Sequence, residues 1–160
     1  MEKLTLKLFE IRDLNAEVNG LVNVQRGEKV RKGLLDEKLT MTQKYWLSDL
    51  GKKAKAITDE VEPLRNELIT KYGEKTSDET VEVLPWIEEK NEEGEVTARK
   101  PNPKFLDFEK EYTELFNQER EVEHRVFFIE DFEDVKSEND YPIFRKFCSS
   151  RESSPLSVVK

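Results

Sequence analysis

The apolar residues near the start of the chain are spaced first by two residues and then by three or four. The alternation of Leu4, Leu6 and Leu8, taken alone, favours a strand, whereas the spacing that follows favours a helix with one apolar face. We predict a first helix from about Leu6 to Asn23, which Thr5 can cap. Its apolar positions are Leu8, Ile11, Leu14, Val18, Leu21 and Val22.

The longest helical periodicity lies between residues 40 and 72, where one face stays apolar for about eight turns. Thr40 or Thr42 can cap this second helix, and Gly73 follows where a left-handed terminal residue is expected. Pro63 lies inside the run without the amide hydrogen that a helix requires, so we predict a kink or break near residues 59–62. The apolar face comprises Tyr45, Trp46, Leu50, Ala54, Ile57, Val61, Leu64, Leu68 and Tyr72.

Residues 74–104 favour strands instead. Two β-prone segments, Thr80–Ile87 and Glu95–Arg99, flank a turn-forming segment at residues 91–94, and this pattern predicts a charged β-hairpin. Pro85 restricts that hairpin to an edge or to a single ladder, because proline cannot donate a backbone hydrogen bond.

The last third of the chain predicts a helix, a strand and a tail. The third helix runs from about Pro103 to Gln118, and from Ser137 onward the polar sequence favours an extended tail. The apolar stripe of the third helix comprises Phe105, Phe108, Tyr112, Leu115 and Phe116. The strand follows this helix, and its residues that face one way are Val122, His124, Val126 and Phe128.

These elements predict a mainly α (α+β) fold. We expect an elongated antiparallel helical hairpin or three-helix bundle, with a small β-hairpin, short strands and an extended C-terminal tail. The predicted organisation is a single helical domain at 1–136, with a polar β-hairpin insert at about 74–104, followed by a tail at 137–160. Only 36% of the 160 residues are hydrophobic and 39% are charged, which suits a thin core and an elongated shape.

The net charge of −8 is unevenly distributed along the chain. Residues 25–55 carry nine basic and four acidic side chains, whereas residues 56–95 carry four basic and thirteen acidic ones. The last twenty residues carry four basic side chains and one acidic side chain. This segregation favours contact between copies of the chain or with a complementary protein; solvated helix faces are the alternative explanation.

The inventory of catalytic side chains is small. His124 is the only histidine and Cys148 the only cysteine, and they lie in segments of different character. Glu121 and His124 form a single Glu-x-x-His motif, whereas helical di-iron sites use two. None of the six glycines belongs to a phosphate-binding loop, and 35 acidic residues make close carboxylate pairs expected by chance. We predict a non-enzyme with no catalytic residues, cofactor, metal or small-molecule substrate.

Localisation and nucleic-acid binding follow from the same inventory. A single cysteine, a charged N-terminus and no apolar run of roughly 18 residues favour the cytoplasm, or a particle assembled there, and argue against membrane insertion. The basic stretch contains Tyr45 and Trp46, which could stack on bases. Trp46 falls on the apolar helix face, however, and the acidic remainder of the chain would repel a duplex. We therefore expect no nucleic-acid partner.

The order of the segments resembles a set of small, functionally uncharacterised tailed-bacteriophage proteins. The resemblance covers residues 3–134 and is carried by "KLTLKLFEI", "GLLDEKLTMTQKYWLSDLGKKAKAI", "EVEPLRNELITKYGE" and "FEKEYTELFNQEREVEHRVFFIEDFE". Those proteins have a long helix that ends in a Leu-Ile-x-Lys-Tyr-Gly-like cap, then a helix leading into a strand. The resemblance implies a phage origin and a role in a virion or its assembly, and it supplies no catalytic residues.

The leading hypothesis is a non-enzymatic structural or assembly component of a bacteriophage virion, located in a virion assembled in the host cytoplasm. Its partners would be other virion proteins and copies of itself. The alternative is a small acidic inhibitor of a host nucleic-acid-binding or defence protein, which would imitate a nucleic-acid backbone with its carboxylates. The interface positions predicted from the sequence are Leu156, Val158 and Val159, which alternate like an added strand, Lys160, which could reach an acidic surface, and Lys52 and Lys53.

Overall fold

The computed structural model describes residues 1–23, 27–75, 80–132 and 141–151. The fold is mixed α+β, 53% helical and 26% strand. The chain divides into two units, which we call the first unit (Met1–Thr58 with Glu119–Lys160) and the second unit (Asp59–Gln118).

The helices and strands are numbered in chain order. They are β1 (Glu2–Lys7), α1 (Leu8–Asn19), β2 (Leu21–Asn23), β3 (Glu28–Arg31), α2 (Met41–Tyr72), β4 (Glu74–Lys75), β5 (Val81–Glu82), β6 (Trp86–Lys90), β7 (Val96–Pro101), α3 (Pro103–Phe116), β8 (Glu119–His124), β9 (Phe127–Phe128), α4 (Pro142–Arg145) and β10 (Cys148–Ser149). Short 3-10 helices occupy Leu34–Asp36 and Ile129–Phe132.

The strands pair two by two. In the first unit β1 runs antiparallel to β8, β2 antiparallel to β3, and β9 parallel to β10. In the second unit β4 pairs with β5, and β6 pairs with β7 as an antiparallel hairpin. A charged hairpin therefore forms, but its first strand is β6, which begins at Trp86 directly after Pro85, rather than the predicted Thr80–Ile87. Val81–Glu82 pair with β4 instead.

The predicted first helix is too long at both ends. The alternating leucines belong to β1, where Leu4 lies opposite Val122, and the backbone N–H of Lys7 donates to Glu10 Oε1 (3.1 Å) at the start of α1. Thr5 is thus a strand residue and does not cap the helix. The helix ends before Gly20, whose φ of 80° places it in the left-handed region and whose N–H donates to the Ala16 carbonyl (2.9 Å).

The second helix is confirmed, whereas the predicted break is wrong. Thr40 caps it: the Gln43 N–H donates to Thr40 Oγ1 (3.2 Å) and the Thr40 N–H donates to Gln43 Oε1 (2.9 Å). The helix continues through Pro63 to Tyr72. Gly73 has no positive φ; glycine is needed there because a Cβ would lie 2.3 Å from the Ile69 carbonyl oxygen.

The buried core lies almost entirely in the first unit. Helix α1 approaches α2 closely at Gly51, where the Asn19 side-chain amide donates to the Gly51 carbonyl (3.0 Å) and an added Cβ would lie 2.7 Å from Asn19 Oδ1. Leu47, which was not assigned to the apolar face, is fully buried, whereas Tyr45 is exposed. The core of this unit includes Leu6, Ile11, Leu14, Val18, Leu34, Leu47, Leu50, Ala54, Val122, Phe127, Phe144 and Phe147.

The tail predicted to be extended is folded in its described residues, 141–151. They form α4 and β10, and the rings of Tyr141, Phe144 and Phe147 are buried in the first unit. The strand that was predicted to carry Val122, His124, Val126 and Phe128 on one face ends at His124, as β8. The strand β9 is separate and short, and it pairs with β10. The three buried rings thus hold this segment in the first unit, although its composition is polar.

The third helix is confirmed, with its end at Phe116 and its N-cap at Asn102. The helical hairpin and the three-helix bundle are not confirmed, because α1 belongs to the first unit and α3 to the second. Among the described residues of the second unit, the buried apolar side chains are Val61 and Phe116.

Candidate interaction surface

The hairpin of the second unit exposes large apolar side chains. Trp86 is 50% and Ile87 49% exposed, and they point to opposite faces of β6 because they are consecutive in a strand. A cavity of about 570 Å³ on this hairpin is lined by both residues and by Leu84 and Pro85. A two-stranded ladder cannot bury both faces of its own strands. We call the apolar residues Leu84, Trp86 and Ile87 the hairpin patch.

Asn102 fixes the position of the hairpin patch. It is buried, its side-chain amide donates to the Leu84 carbonyl (2.7 Å), and its backbone N–H donates to the Pro85 carbonyl (3.0 Å). Its Oδ1 accepts from the Lys104 N–H (3.1 Å) and so caps α3. One residue thus ties the segment that enters β6 to the start of the helix.

Cross-strand ion pairs link the two strands of the hairpin. Arg99 contacts Glu88 (3.6 Å) and Lys100 contacts Glu89 (2.5 Å). The turn is closed by Asn91, whose Oδ1 accepts from the N–H groups of Glu93 and Glu95, and Gly94 adopts a φ of 82°. The charged edges keep the hairpin solvated, while the hairpin patch remains uncovered.

A second concave surface lies between α2 and α3, within the second unit. The two helices contact each other where the Tyr72 ring meets the Phe108 ring edge-on, with centroids 6.4 Å apart, and where Lys71 Nζ lies 3.3 Å from Glu111. A groove of about 470 Å³ beside these contacts has an apolar lining of Leu64, Leu68 and Leu115. Its charged lining comprises Glu67, Lys71, Glu111 and Glu114. We call it the helix groove.

The helix groove carries negative charge at neutral pH. The hydrogen bond from the Tyr72 hydroxyl, and then that from Lys71, lower the pKa of Glu111 below its ordinary value. Lys71 offsets one carboxylate of the lining. The exposed carboxylates Glu67 and Glu114 have no ion pair with any described residue.

The interface residues predicted from the sequence fall into two groups. Lys52 is exposed on α2, whereas the Lys53 ammonium contacts Asp49 (2.9 Å) and donates to the Glu123 carbonyl (3.0 Å), which ties α2 to β8. Lys53 is therefore used inside the first unit. The predicted strand residues Leu156, Val158, Val159 and Lys160 lie outside the described residues.

Acidic side chains hold the described part of the tail. The buried Glu17 carboxylate accepts the N–H groups of Ile143 and Phe144 (3.0 Å each) at the start of α4, and Glu10 pairs with Lys146. Burial raises the pKa of Glu17, although the two N–H donors and Arg31 oppose the shift. The basic character of the last twenty residues is thus explained in part by contacts within the chain.

The C-terminal end of the segment 141–151 is also bound by acidic side chains of the first unit. Glu130 accepts from the Ser150 hydroxyl (2.7 Å) and from the Arg151 N–H (3.1 Å), and the Ser150 contact is the main cause of a lowered pKa of Glu130. The Arg151 guanidinium contacts Asp131 (2.7 Å). These contacts fasten residues 141–151 to the first unit and give them a structural role.

His124 and Cys148 each have a structural partner. The His124 ring packs edge-on against Phe147 (4.7 Å between centroids), and its Nδ1 lies 3.0 Å from the Arg125 carbonyl. The Cys148 thiol lies 3.7 Å from the Phe144 carbonyl, and burial raises its pKa to about 12. Such a thiol is almost fully protonated at neutral pH and is a poor nucleophile. No group of three potential metal ligands occurs in residues 1–23, 27–75, 80–132 and 141–151.

Trp46, which the sequence assigned to a core face, is half-buried. The Arg125 guanidinium lies 4.9 Å above its ring, and the Tyr45 ring meets it edge-on at 5.0 Å. Together with Arg151 and Asp131 it lines a cavity of about 200 Å³, smaller than most small-molecule sites. The cation–π contact with Arg125 explains the position of the Trp46 ring without a stacked nucleic-acid base.

Sequence patterns could have identified parts of these surfaces. Glu17 falls three residues after Leu14 and directly before Val18, so a carboxylate on an apolar helix face was visible in the sequence. The adjacent apolar residues Trp86 and Ile87 in a two-stranded hairpin also imply one uncovered face. The helix groove has no such signal, because it depends on how α3 contacts α2.

Comparisons with protein-family models, curated proteins and solved structures returned no match. In the part of the chain that the structure describes, no helix is both long enough and apolar enough to cross a membrane.

Proposed function

We propose that this chain is a non-enzymatic structural or assembly component of a bacteriophage virion, such as a capsid, neck or tail accessory protein. It acts through contacts with other virion proteins and with copies of itself. The virion is assembled in the host cytoplasm, so the chain functions there and then in the particle.

The hairpin patch is the observation that supports this proposal most. Trp86 and Ile87 lie on a two-stranded ladder whose own strands cannot cover them. Large exposed apolar side chains beside polar ones are typical of protein–protein contacts, and tryptophan is enriched among residues that contribute most to binding energy. Glu88, Glu89, Arg99 and Lys100 supply the polar side chains.

Two further observations favour an assembly role. The sequence resemblance to small tailed-phage proteins supplies the specific setting, a virion. The described nucleophile candidate, Cys148, has a raised pKa and a structural hydrogen bond, which disfavours covalent catalysis at that residue.

The proposal is tested by particle incorporation. An epitope-tagged chain is expressed during phage growth, and purified particles are analysed for its stoichiometry. We expect the wild-type chain in a fixed ratio to the other virion proteins, and a loss of at least about tenfold for Trp86→Ala combined with Ile87→Ala. The matched control is Phe9→Ala combined with Val30→Ala, which removes exposed apolar side chains from the first unit.

Absence of the wild-type chain from particles would contradict the proposal. If the chain instead co-purified with a host nucleic-acid-binding or defence protein, the acidic inhibitor would replace it. Equal incorporation of the hairpin variant and the wild type would show that the hairpin patch is not the contact.

A further inference from the structure

The helix groove has the shape that a third helix would fill. Two helices in contact expose a line of apolar side chains along their shared side, and burying that line against another helix is the usual way to complete a helical bundle. Leu64 is 46% exposed, and Leu68 and Leu115 are half-exposed.

The charge of the helix groove selects a basic helix. Glu67 and Glu114 are exposed carboxylates of the lining, and Glu111 keeps its charge because its pKa is lowered. A helix with exposed lysines beside apolar side chains would complement this lining, whereas an acidic helix would be repelled.

The first half of α2 has these properties. Met41, Tyr45 and Lys52 are separated by four and seven residues, so they lie along one face of the helix, and Lys55 lies beside them. Met41 is 80% and Tyr45 67% exposed, and both lysines are exposed. This face is opposite the buried face that contains Leu47, Leu50 and Ala54. We call the exposed residues Met41, Tyr45, Lys52 and Lys55 the basic stripe.

We propose that the helix groove of one copy of this chain binds the basic stripe of another copy. The inference rests on the proposed assembly function and names one of its partners. Met41 and Tyr45 contact the leucines of the groove, and Lys52 and Lys55 face its carboxylates. The two surfaces are different patches of the chain, so copies associate either as a two-fold dimer in which each groove takes the other copy's stripe, or head to tail into a ring or a filament.

The test is a charge exchange between purified full-length variants. The groove variant carries Glu67→Lys with Glu114→Lys, and the stripe variant carries Lys52→Glu with Lys55→Glu. Their masses in solution are measured by sedimentation velocity over a concentration series at about 50 mM and about 500 mM salt. The matched control for the groove variant, Glu92→Lys with Glu93→Lys, makes the same change in net charge on the exposed hairpin turn.

We expect the wild type and the control to associate at low salt and to dissociate at high salt. Each variant alone should dissociate at least about tenfold more readily, because like charges then face each other. An equimolar mixture of the two variants should associate again, since each groove meets a stripe of opposite charge. Circular dichroism establishes that both variants remain folded.

Three results would overturn the inference: a monomeric wild type at low salt, association that the two charge reversals leave unchanged, or a mixture that remains monomeric. Failure of this test would leave the proposed function intact if the Trp86 and Ile87 variant still lost particle incorporation. Failure of particle incorporation by the wild type, with normal charge-dependent association, would instead reject the virion role alone.

Discussion

The two units use their apolar residues in opposite ways. In the first unit they converge on one core, to which β1, α1, α2, β8 and the segment 141–151 all contribute. In the second unit the described apolar side chains are mostly half-exposed or exposed, although it contains half of a long helix and all of α3. Burial of apolar surface is the main source of stability, so the first unit should be the more stable one and the second should depend more on contacts with partners.

The largest effect should come from the core of the first unit. Phe144→Ala removes a buried ring that contacts Phe127 and Phe132, and we expect a loss of about 3–5 kcal/mol in the free energy of unfolding. Trp86→Ala, although it removes a larger side chain, should cost less than about 1 kcal/mol because half of that side chain is already in water. Urea unfolding monitored by circular dichroism measures both. Similar losses would contradict the division between the units.

The reactivity of Cys148 tests the stability of the first unit without any amino-acid substitution. Burial raises the pKa of Cys148 from 9.0 to about 12, so little thiolate forms in the folded first unit. We expect iodoacetamide to modify the native protein at pH 8 at least about a hundredfold more slowly than the urea-unfolded protein. Rapid modification of the native protein would show that residues 141–151 detach readily.

Asn102→Ala should act on the second unit alone. The substitution removes the side-chain bonds to the Leu84 carbonyl and the Lys104 N–H, and we expect a loss of about 1–3 kcal/mol. Hydrogen exchange measured by mass spectrometry should show faster exchange in β6, β7 and the start of α3. Exchange in β1 and α1 serves as the internal control and should stay unchanged; faster exchange there would mean that the units unfold together.

The smallest expected effect on stability is that of Glu17→Gln, and it depends on pH. The folded pKa of Glu17 is raised above the ordinary value of 4.5, so the folded state binds this proton more tightly than the unfolded state. The stabilisation of the folded state by this proton is fully present when the pH is below the ordinary pKa. It is lost as the pH rises through the folded pKa. Glu17→Gln mimics the protonated form and should change stability by less than about 1 kcal/mol at pH 7.

A comparison of the wild type with Glu17→Gln and Glu17→Ala separates the charge of the Glu17 carboxylate from its role as a hydrogen-bond acceptor. The stability of the glutamine variant relative to the wild type should increase as the pH is raised from about 4 to 7. Glu17→Ala should lose about 1–3 kcal/mol, because the N–H groups of Ile143 and Phe144 lose their acceptor. A glutamine variant that followed the wild type at every pH would show that Glu17 does not titrate differently on folding.

Local features of this fold were predictable from the sequence, whereas its long-range contacts were not. Thr40 with Gln43, and Asn102 before Pro103, are capping patterns that act within one turn, and the turn at Asn91 is equally local. The contacts of Glu17 with Ile143 and Phe144 connect residues more than a hundred positions apart. The polar sequence of the tail suggested an extended segment, although the buried rings of Tyr141, Phe144 and Phe147 anchor residues 141–151.

The candidate surfaces were less predictable than the fold. Lys52 and Lys53 are neighbours in sequence, yet the helix directs Lys53 toward the Glu123 carbonyl and leaves Lys52 in solvent. Trp86 is half-exposed on a two-stranded ladder in the described chain, and periodicity alone does not specify whether another element packs on its face. Apolar residues that appear in sequence to be core residues can thus belong to an interface.

Hydrogen exchange of the hairpin, measured in the free chain and in the purified particle, tests the central claim most directly. The claim is that the hairpin patch is completed by a partner. The amides of β6 and β7 should exchange rapidly in the free chain, more rapidly than those of β1 and α1, and should become protected in the particle. Slow exchange of β6 and β7 in the free chain, or unchanged rapid exchange in the particle, would contradict the claim.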